Sequence, residues 1–525
     1  MPTKPDKVIV TNVAALKAKY TTGYSRIDKA LKSLVAADKA RSIITVVVDL
    51  ADRAGMTRLH GKAVTTPGNT RQVKAAVDAV YKALTPAYIL ILGSIDVVPH
   101  QDMKNPAYDP GADDDPLAPG DLPYACDHAY SQNPADFTAP TRVVGRVPDI
   151  NGEKDPAFLV GLLETAASFK SRPATAYTPY LGVSADVWSN STALSLQAAF
   201  GSSSDLQLAP PSGPSWNASL FGRLSHFFNC HGAAADPQWY GQKGHDYPVA
   251  HAAAIVAKNA VEGTVVAAEC CYGAELYAPA LTGGQAGISI EYLRRKAYGV
   301  FGSSTIAYGP ASGNANADLI CQYFFKHLLT GASLGRAALQ ARQDFVRSAA
   351  VLDPIDLKTL AQFSLLADPA LLPVQPTAID HSIAAIGKAA PFRDMGDARD
   401  FRRESLRRNG LAIGAVVASS QRDEKDEVPA RIKKAMRQIL ENVGAPPQTF
   451  HSHSVSSPTL EAGPKVTSKA ITAAFAPVLP RRIYVAYSVL PEGTHGKTKS
   501  PVRALVAVVA RESESGLIFR TLYSR

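Results

Sequence analysis

The sequence predicts an α/β fold whose sheet is mostly parallel and flanked by helices, followed by a C-terminal α+β domain. Short apolar, β-branched runs alternate with helical patterns along residues 41–374, which is typical of β-α-β units. Several runs are apolar at nearly every position, as expected for parallel strands covered on both faces. A chain of 525 residues exceeds one hydrophobic core, so more than one domain is expected.

The first part of the chain has the β-α-β order of such a fold. Apolar residues at helical spacing run through 1–40, and RSIITVVVDLA at 41–51 is predicted to form the first strand. An amphipathic helix at 71–86 leads into the strand AYILILGSIDVVP at 87–99. Residues 1–175 are therefore expected to form an N-terminal α/β subdomain.

The second part continues the alternation, and residues 176–375 are expected to form a second α/β subdomain. Its predicted strands are YLGVSADVWS at 180–189, SHFFNCHGA at 225–233, TVVAAECCYGAEL at 264–276 and the end of the segment 287–310, and its predicted helices are at 192–201, 316–331 and 332–349. SLLADPALLPV at 364–374 closes this unit.

Residues 376–525 form the predicted α+β domain. LAIGAVVAS at 411–419 and three later runs, RRIYVAYSVL, VRALVAVVA and GLIFRTLY, are predicted strands, and 427–444 is a predicted amphipathic helix. The net charge of +9 falls in this domain, because the rest of the chain has equal numbers of basic and acidic residues. A solvated basic surface is the preferred interpretation, since no motif for reading nucleic acid accompanies the charge.

Two apolar runs of the second subdomain end at reactive side chains. One stops at His231 and Gly232, and the other stops at Cys271, with Gly273 two residues on. In open parallel sheets, the carboxyl ends of the strands form the crevice where ligands bind. A thiol and an imidazole at that rim would be a nucleophile and its acid/base partner. The backbone N–H groups of Gly232 and Cys271 could then hold the oxyanion of a tetrahedral intermediate.

The sequence leaves other uses of these side chains open. A buried cysteine is more often an inert core residue, and a lone histidine is more often a structural group. Cys230, His231, Cys270 and Cys271 could also hold zinc, but neighbouring strand residues point to opposite faces and no C-x-x-C spacing occurs. The joint occurrence of His-Gly and Cys at two strand ends favours catalysis.

The two segments resemble the signature of the caspase-like cysteine peptidases, a group that includes caspases, legumains, clostripain, separases and gingipains. In that group one strand ends in His-Gly, and another ends in a small residue followed by the nucleophilic cysteine. His231-Gly232 and Cys270-Cys271 match this pattern. By that pattern Cys271 is the nucleophile, because choosing Cys270 would put the bulky, charged Glu269 in the small position.

Further motifs resemble the gingipains in particular. The resemblance covers about residues 85–374, which is more than half of the chain. The matching residues are Gly93 with Pro99, Asp127 with Tyr130, Val-Gly-Arg-Val-Pro at 144–148 and Asp-Pro-Ala-Leu at 368–371.

The resemblance implies a caspase-like α/β/α sandwich and a cysteine endopeptidase, with residues 176–375 as the catalytic subdomain. It implies that Cys271 attacks the scissile carbonyl, that His231 moves the protons and that Gly232 helps to hold the oxyanion. Asp186 is the nearest match to the gingipain acid that binds a basic substrate side chain, so cleavage after Arg or Lys is expected. No metal or organic cofactor is expected in the chemistry.

A loop rich in Pro, Gly and Asp occupies residues 100–123. Its acidic residues could bind a hard cation such as Ca²⁺, although their spacing does not match an EF-hand. A solvated acidic loop is the preferred interpretation. The aspartates are Asp109, Asp113, Asp114, Asp115 and Asp121.

Composition also bears on location and partners. No apolar run approaches the ~18 residues that span a bilayer, and the N-terminus lacks a secretory signal. Five cysteines are too few for a disulfide scaffold in a chain of this size. A cytoplasmic protein with reduced thiols and no membrane partner is therefore expected. Protein or peptide substrates are the expected partners, and nucleic acid is not favoured.

Two functions follow as hypotheses. The first is a latent intracellular protease activated by cleavage, by itself or by an upstream protease, at candidate sites in 397–410 or 421–434. Such an enzyme would suit a stress response or antiviral defence. The second is a catalytically silent scaffold that binds a protein or nucleic-acid partner through the basic C-terminal domain.

Overall fold

The computed structural model describes residues 4–349, 351–375, 418–447, 449–456, 480–490, 494–495, 498–499, 502–513 and 516–525. The candidate cleavage segment 397–410 and most of the predicted strand at 411–419 lie outside the described residues. The other candidate segment, 421–434, runs from a strand into a helix.

The strands of the first 375 residues follow the predicted alternation with helices. They are β1 (Lys7–Thr11), β2 (Thr45–Asp49), β3 (Tyr88–Leu92), β4 (Val144–Val147), β5 (Tyr180–Ala185), β6 (Leu206–Ala209), β7 (Ser225–Asn229), β8 (His231–Gly232), β9 (Gln238–Tyr240), β10 (Val249–Ala252), β11 (Val265–Ala268), β12 (Gly299–Ser303), β13 (Tyr308–Gly309), β14 (Val351–Leu352) and β15 (Phe363–Leu366).

One ten-stranded sheet, in the order β2-β1-β3-β4-β15-β12-β11-β7-β5-β6, organises this part of the chain. Neighbouring strands are parallel except β12 and β15, which are antiparallel. The sheet therefore consists of two parallel halves that run in opposite directions. The predicted α/β class with a mostly parallel sheet is confirmed by this topology.

Helices flank the sheet, and several begin at side-chain caps. Asn69 accepts a hydrogen bond from the Gln72 N–H, and Ser333 accepts one from the Arg336 N–H. Among the described residues, none of the helices combines the length and apolar character needed to cross a bilayer. The helices are α1 (Val13–Tyr20), α2 (Tyr24–Ala40), α3 (Arg53–Arg58), α4 (Thr70–Leu84), α5 (Ala157–Ser168), α6 (Ser189–Phe200), α7 (Ala218–Phe221), α8 (Ala253–Asn259), α9 (Ile288–Arg294), α10 (Asn316–Leu329), α11 (Leu334–Ser348) and α12 (Pro354–Gln362).

The structure corrects the predicted start of the sheet. The first strand is not the segment at 41–51 but β1, which pairs with both β2 and β3 and is buried along its whole length. The sequence of β1 is only KVIVT, and helical spacing begins directly after it. A pattern of five residues is too short to separate a strand from the sequence around it.

Lys7, at the start of β1, is buried between two carboxylates. Its Nζ lies 2.5 Å from Asp38, near the end of α2, and 2.7 Å from Asp368, just after β15. The three side chains are at most 2 % exposed. Charges can be buried at moderate cost only when they are paired. Lys7 therefore ties the N-terminal strand to the segment that follows the junction strand β15.

Replacing Lys7 by Met should lower the free energy of unfolding by about 3–5 kcal/mol, because two buried carboxylates lose their cation. Urea unfolding followed by circular dichroism measures the change. Lys32→Met is the matched control, since Lys32 pairs with Asp28 on an exposed helix face and its loss should hardly move the midpoint. Equal midpoints for the two variants would contradict the role of Lys7.

The C-terminal domain is a second sheet with a helix against it, which confirms the predicted α+β class for its described residues. The sheet order is β13-β22-β21-β18-β17-β16-β14, so its outer strands β13 and β14 come from the second subdomain. Ile432, Met436 and Leu440 of the helix pack on the sheet. The elements are β16 (Ala418–Asp423), the helix Ala430–Asn442, β17 (Thr449–Ser456), β18 (Arg482–Val489), β19 (Thr494–His495), β20 (Thr498–Lys499), β21 (Leu505–Ser513) and β22 (Gly516–Ser524).

Basic residues of this domain face acidic residues of the first 375 residues. Burial opposes ionisation of Asp353, but Arg520 and Arg511 lower its pKa to about 2. Part of the basic excess predicted to be a solvated surface is therefore neutralised within the chain. The pairs are Asp353 and Asp356 with Arg511 and Arg520, Asp109 with His451, and Asp114 with Arg503.

The aspartates of the loop 100–123 bind protein groups and do not converge on one point. In the described parts of the chain, no group of three or more His, Cys, Asp or Glu residues is placed to hold a metal ion. Calcium binding by this loop stays a hypothesis from the sequence, without support from these contacts. Besides the pairs of Asp109 and Asp114, Asp113 pairs with Lys358, Asp115 accepts from the Tyr272 hydroxyl, and Asp121 pairs with Arg146.

Candidate active site

His231 and Cys271 follow neighbouring strands of the large sheet. β7 and β11 pair in parallel, with Phe228 opposite Ala268, so both strands leave the sheet at the same edge. His231 and Cys271 each lie three residues beyond that pair. The structure thus brings to one rim the two side chains that the sequence predicts there.

The backbone N–H groups of Gly232 and Cys271 point at a single oxygen. Both donate to the main-chain carbonyl oxygen of Arg525, at N···O distances of 3.2 and 3.1 Å. A Cβ at position 232 would collide with the Cys271 carbonyl oxygen, so the close approach requires a glycine. Two convergent donors at about this distance can stabilise the negative oxygen of a tetrahedral intermediate.

The Cys271 thiol is buried beneath this contact, and the residue is 3 % exposed. Its Sγ lies 3.3 Å from the backbone nitrogen of Ala307 and 3.5 Å from the carbonyl oxygen of the same residue. Burial raises the pKa of the thiol to about 12, although the Ala307 N–H acts in the opposite direction. The thiol is therefore protonated at neutral pH in this arrangement.

The His231 imidazole is oriented by Gln242. Its Nε2 lies 2.8 Å from Oε1 of Gln242, whose amide nitrogen donates to the Gly244 carbonyl at 3.0 Å. With Oε1 as the acceptor, Nε2 carries the proton and Nδ1 keeps its lone pair. Burial lowers the pKa of His231 to about 3; the hydrogen bond to Gln242 opposes this shift and Arg525 adds to it.

The rim is covered as well as assembled. The rings of Trp188 and Tyr247 pack on the His231 ring at centroid distances of 4.3 and 5.1 Å. The hydrogen bonds of His231 and Cys271 go to Gln242 and Ala307 rather than to each other. Both members of the pair are thus neutral and shielded from water.

The side chain of Arg525 fills a polar pocket next to this rim. One terminal guanidinium nitrogen lies 2.9 Å from both carboxylate oxygens of Asp318 and 2.8 Å from the Pro310 carbonyl oxygen. The guanidinium carbon lies 4.4 Å from the centre of the Trp188 ring, a cation–π contact. A Cβ at Gly309 would collide with the guanidinium, so this glycine gives the pocket its room.

Glu269 adds a second carboxyl group to the region. Burial raises the pKa of Glu269 well above its usual value, and Asp318 raises it further while Arg525 opposes the shift. The pKa of Asp318 is also raised by burial, against the opposing effect of Arg525. Two buried carboxyl groups this close do not both ionise readily. A protonated Glu269 and an ionised Asp318 give the pocket one negative charge, which matches one cation.

Asp186 lies elsewhere on the same loop as Trp188. It begins the short 3-10 helix Asp186–Trp188 and is partly exposed. From this loop Trp188 contacts the Arg525 guanidinium, whereas the carboxylate in contact with Arg525 is that of Asp318 in the first turn of α10. The role of Asp186 in substrate binding stays a prediction.

Cys230 and Cys270 face the interior of the protein. Both are fully buried, with Sγ 4.0 Å from the Val183 carbonyl oxygen and 3.9 Å from the Phe228 carbonyl oxygen, respectively. Only the amide of Cys271, of the two adjacent cysteines, shares the Arg525 oxygen with Gly232. These positions favour Cys271 over Cys270 as the nucleophile.

Sequence reasoning missed Gln242, Asp318 and Arg525 and set Glu269 aside as a misfit. Glu269 carries a usable signal, because a charged residue inside an apolar strand run is expected only where it is paired or functional. Asp318 carries none, since acids are common in the first turn of any helix. Arg525 contacts a residue 207 positions away, which no local pattern indicates.

No family model matches the sequence, and no curated protein matches it. A solved structure described as "Structure of Protease" aligns with 98 % of this chain and 96 % of its own at 12 % identity, with a TM-score of 0.45. The complex of the Porphyromonas gingivalis RgpB pro- and mature domains aligns with 98 % of this chain and 99 % of its own at 10 % identity, with a TM-score of 0.45. The Saccharomyces cerevisiae separase–securin complex aligns with 46 % of this chain and 15 % of its own at 12 % identity, with a TM-score of 0.26.

The chain is similar to these three structures. Separases are among the peptidases that its sequence motifs resemble. Because the identities are 10–12 % and the TM-scores lie below 0.5, the chemistry of the site is derived from this chain's own residues.

Alkylation of Cys271 by iodoacetamide should be slow near neutral pH and should rise with pH far beyond the ordinary thiol range, because burial raises its pKa to about 12. Peptide mapping by mass spectrometry after timed labelling measures the rate at this one cysteine. In the urea-unfolded chain the same thiol should titrate near ~8.5. Full-rate labelling of the native thiol at neutral pH would contradict the buried, protonated state.

Proposed function

We propose that the chain is a cysteine endopeptidase that cleaves after arginine, with Cys271 as the nucleophile and His231 as the acid/base. The placement of Arg525 carries the proposal. Its carbonyl oxygen accepts from the amides of Gly232 and Cys271, and its side chain fills an acidic pocket. This is the position that the acyl part of a cleaved substrate would take.

Acylation of the enzyme begins with transfer of the Cys271 proton to Nδ1 of His231. The thiolate attacks the scissile carbonyl carbon, a C–S bond forms, and the carbonyl electron pair moves onto the oxygen held by the amides of Gly232 and Cys271. The C–N bond then breaks as the imidazolium gives its proton to the leaving amine. A thioester on Cys271 and a neutral imidazole remain.

Deacylation returns the enzyme to its starting state. Water attacks the thioester while His231 accepts one of its protons, and the C–S bond breaks. The thiolate then recovers a proton from the imidazolium, and the product leaves with a new carboxyl group. Gln242 holds the Nε2 proton throughout, so Nδ1 is the nitrogen that exchanges protons.

The pocket geometry favours arginine over lysine. A planar guanidinium can contact the Asp318 carboxylate and the Pro310 carbonyl while it stacks on Trp188. A lysine ammonium is a compact, strongly hydrated charge that offers no such plane. We therefore infer a preference for Arg, which is narrower than the sequence-based expectation of Arg or Lys.

Latency belongs to the same proposal, because His231 and Cys271 are covered in this arrangement. Activation by cleavage, a cytoplasmic location and service in antiviral defence are proposed from the sequence and the family resemblance alone. The silent scaffold is less favoured, since Arg511 and Arg520 of the basic domain pair with carboxylates of the same chain.

Fluorogenic peptides with Arg, Lys or Ala before the reporter group test the activity. Because Arg525 occupies the pocket, the protein is assayed unsubstituted and as Arg525→Ala. The Arg525→Ala chain should hydrolyse the Arg peptide, and adding Cys271→Ala should abolish hydrolysis. Cys270→Ala is the matched control and should retain activity, because Cys270 lies in the core. Hydrolysis that survives Cys271→Ala would overturn the proposal.

Specificity should depend on Asp318. In the Arg525→Ala background, Asp318→Asn should lower kcat/KM for the Arg peptide by about 100-fold or more, roughly 3 kcal/mol, because a buried cation loses its charged partner. Asp186→Asn serves as the comparison and should cause a much smaller loss. The reverse order of the two effects would assign the substrate side chain to Asp186.

A further inference from the structure

We propose that residues 516–525, called here the closing segment, occupy the substrate site of their own chain and hold the peptidase closed as an intramolecular product analogue. The proposal rests on the proposed function for the identity of the site. It adds a regulatory ligand, which is an extended peptide whose arginine carbonyl lies in the oxyanion site.

The closing segment enters the cleft as a strand. Ser524 lies opposite Tyr308 and Tyr523 opposite Gly309 in the antiparallel pairing of β22 with β13. The Arg525 N–H continues the pattern by donating to the Ala307 carbonyl oxygen at 2.9 Å. Addition of an extended peptide to a free strand edge is a general mode of peptide recognition. The same edge would receive the residues before the scissile bond of a substrate.

The end of the closing segment fills both subsites that a substrate needs. Its carbonyl oxygen takes the two N–H donors of Gly232 and Cys271, and its guanidinium takes Asp318. A structural anchor between domains would need the ion pair alone. Convergence of both amides on the carbonyl of the same residue is what a cleaved substrate requires and an anchor does not.

Further contacts hold the closing segment along its length. Leu522 is fully buried in the apolar cluster that contains Cys271 and Tyr308. Arg520 pairs with Asp353 and Asp356. Since alternate residues of a strand point to one face, Arg520 and Leu522 bind the second subdomain from the same side of β22.

Tethering makes even a weak product an effective inhibitor. An intramolecular ligand acts at an effective concentration on the order of 1 mM, so a product with a dissociation constant of about 0.1 mM would close roughly nine-tenths of the sites. Loss of the arginine should therefore raise access to the site about tenfold or more. Displacement of the segment by a partner or by cleavage would have the same effect.

Two readouts on the full chain separate closure from peptidase function. Labelling of Cys271 by iodoacetamide and hydrolysis of an Arg peptide are measured for the unsubstituted chain, Arg525→Ala and Arg431→Ala. Arg431 is an exposed arginine of the C-terminal domain that pairs with Glu512, so its substitution is the matched control. We expect about tenfold or more faster labelling in Arg525→Ala alone.

A synthetic peptide with the sequence of residues 516–525, GLIFRTLYSR, guards against a misfolded Arg525→Ala chain. Added to that variant, it should slow the labelling of Cys271, whereas the same peptide ending in Ala should not. Fast labelling that the peptide reverses, without hydrolysis in any chain, would support closure and reject the peptidase. Equal labelling and equal hydrolysis of the unsubstituted and Arg525→Ala chains would overturn closure and leave the peptidase. Fast labelling that neither peptide slows would also overturn closure.

Discussion

Burial of the Arg525 guanidinium against Asp318 is the interaction on which the closed site depends. Both side chains are fully buried. Removing an ion from water costs several kcal/mol even after the protein relaxes, so neither charge could stay there alone. Glu269 tolerates the same surroundings by holding a proton, as its raised pKa indicates. An acidic pocket in a dry interior therefore needs a cation, and it places the same requirement on any substrate that replaces Arg525.

The separation of charge along the sequence has a structural counterpart in the way the two sheets meet. The basic C-terminal domain completes its sheet with β13 and β14, and its arginines reach carboxylates that the first 375 residues hold ready. Asp353 shows the cost and its compensation, because burial alone would raise its pKa and the two arginines lower it to about 2. The domain is bound through the same strands that lead its last residue into the cleft.

The sequence predicts the elements that repeat a pattern and misses those that depend on a distant partner. His231 and Cys271 could be placed at one rim because strand runs that end in reactive residues and glycines report where parallel strands stop. Strand β1 escaped because KVIVT is too short to show a period, although Lys7 within it joins two distant carboxylates. Asp318 and Arg525 escaped for a different reason: an acid in a first helical turn and a final arginine have ordinary local explanations, and only the fold brings them together.

Closure and the reactive ionic form of the dyad exclude each other on electrostatic grounds. In the closed arrangement burial raises the pKa of Cys271 to about 12 and lowers that of His231 to about 3. A group whose pKa is raised on closure favours the closed form until the pH passes its open-form value, and a group whose pKa is lowered favours it only above its open-form value. With ordinary open-form values of about 8.5 for the thiol and 6.5 for the imidazole, closure is most favourable between these limits. A thiolate–imidazolium pair adds two charges that this dry rim cannot solvate, so any condition that stabilises the pair also works against the closing segment.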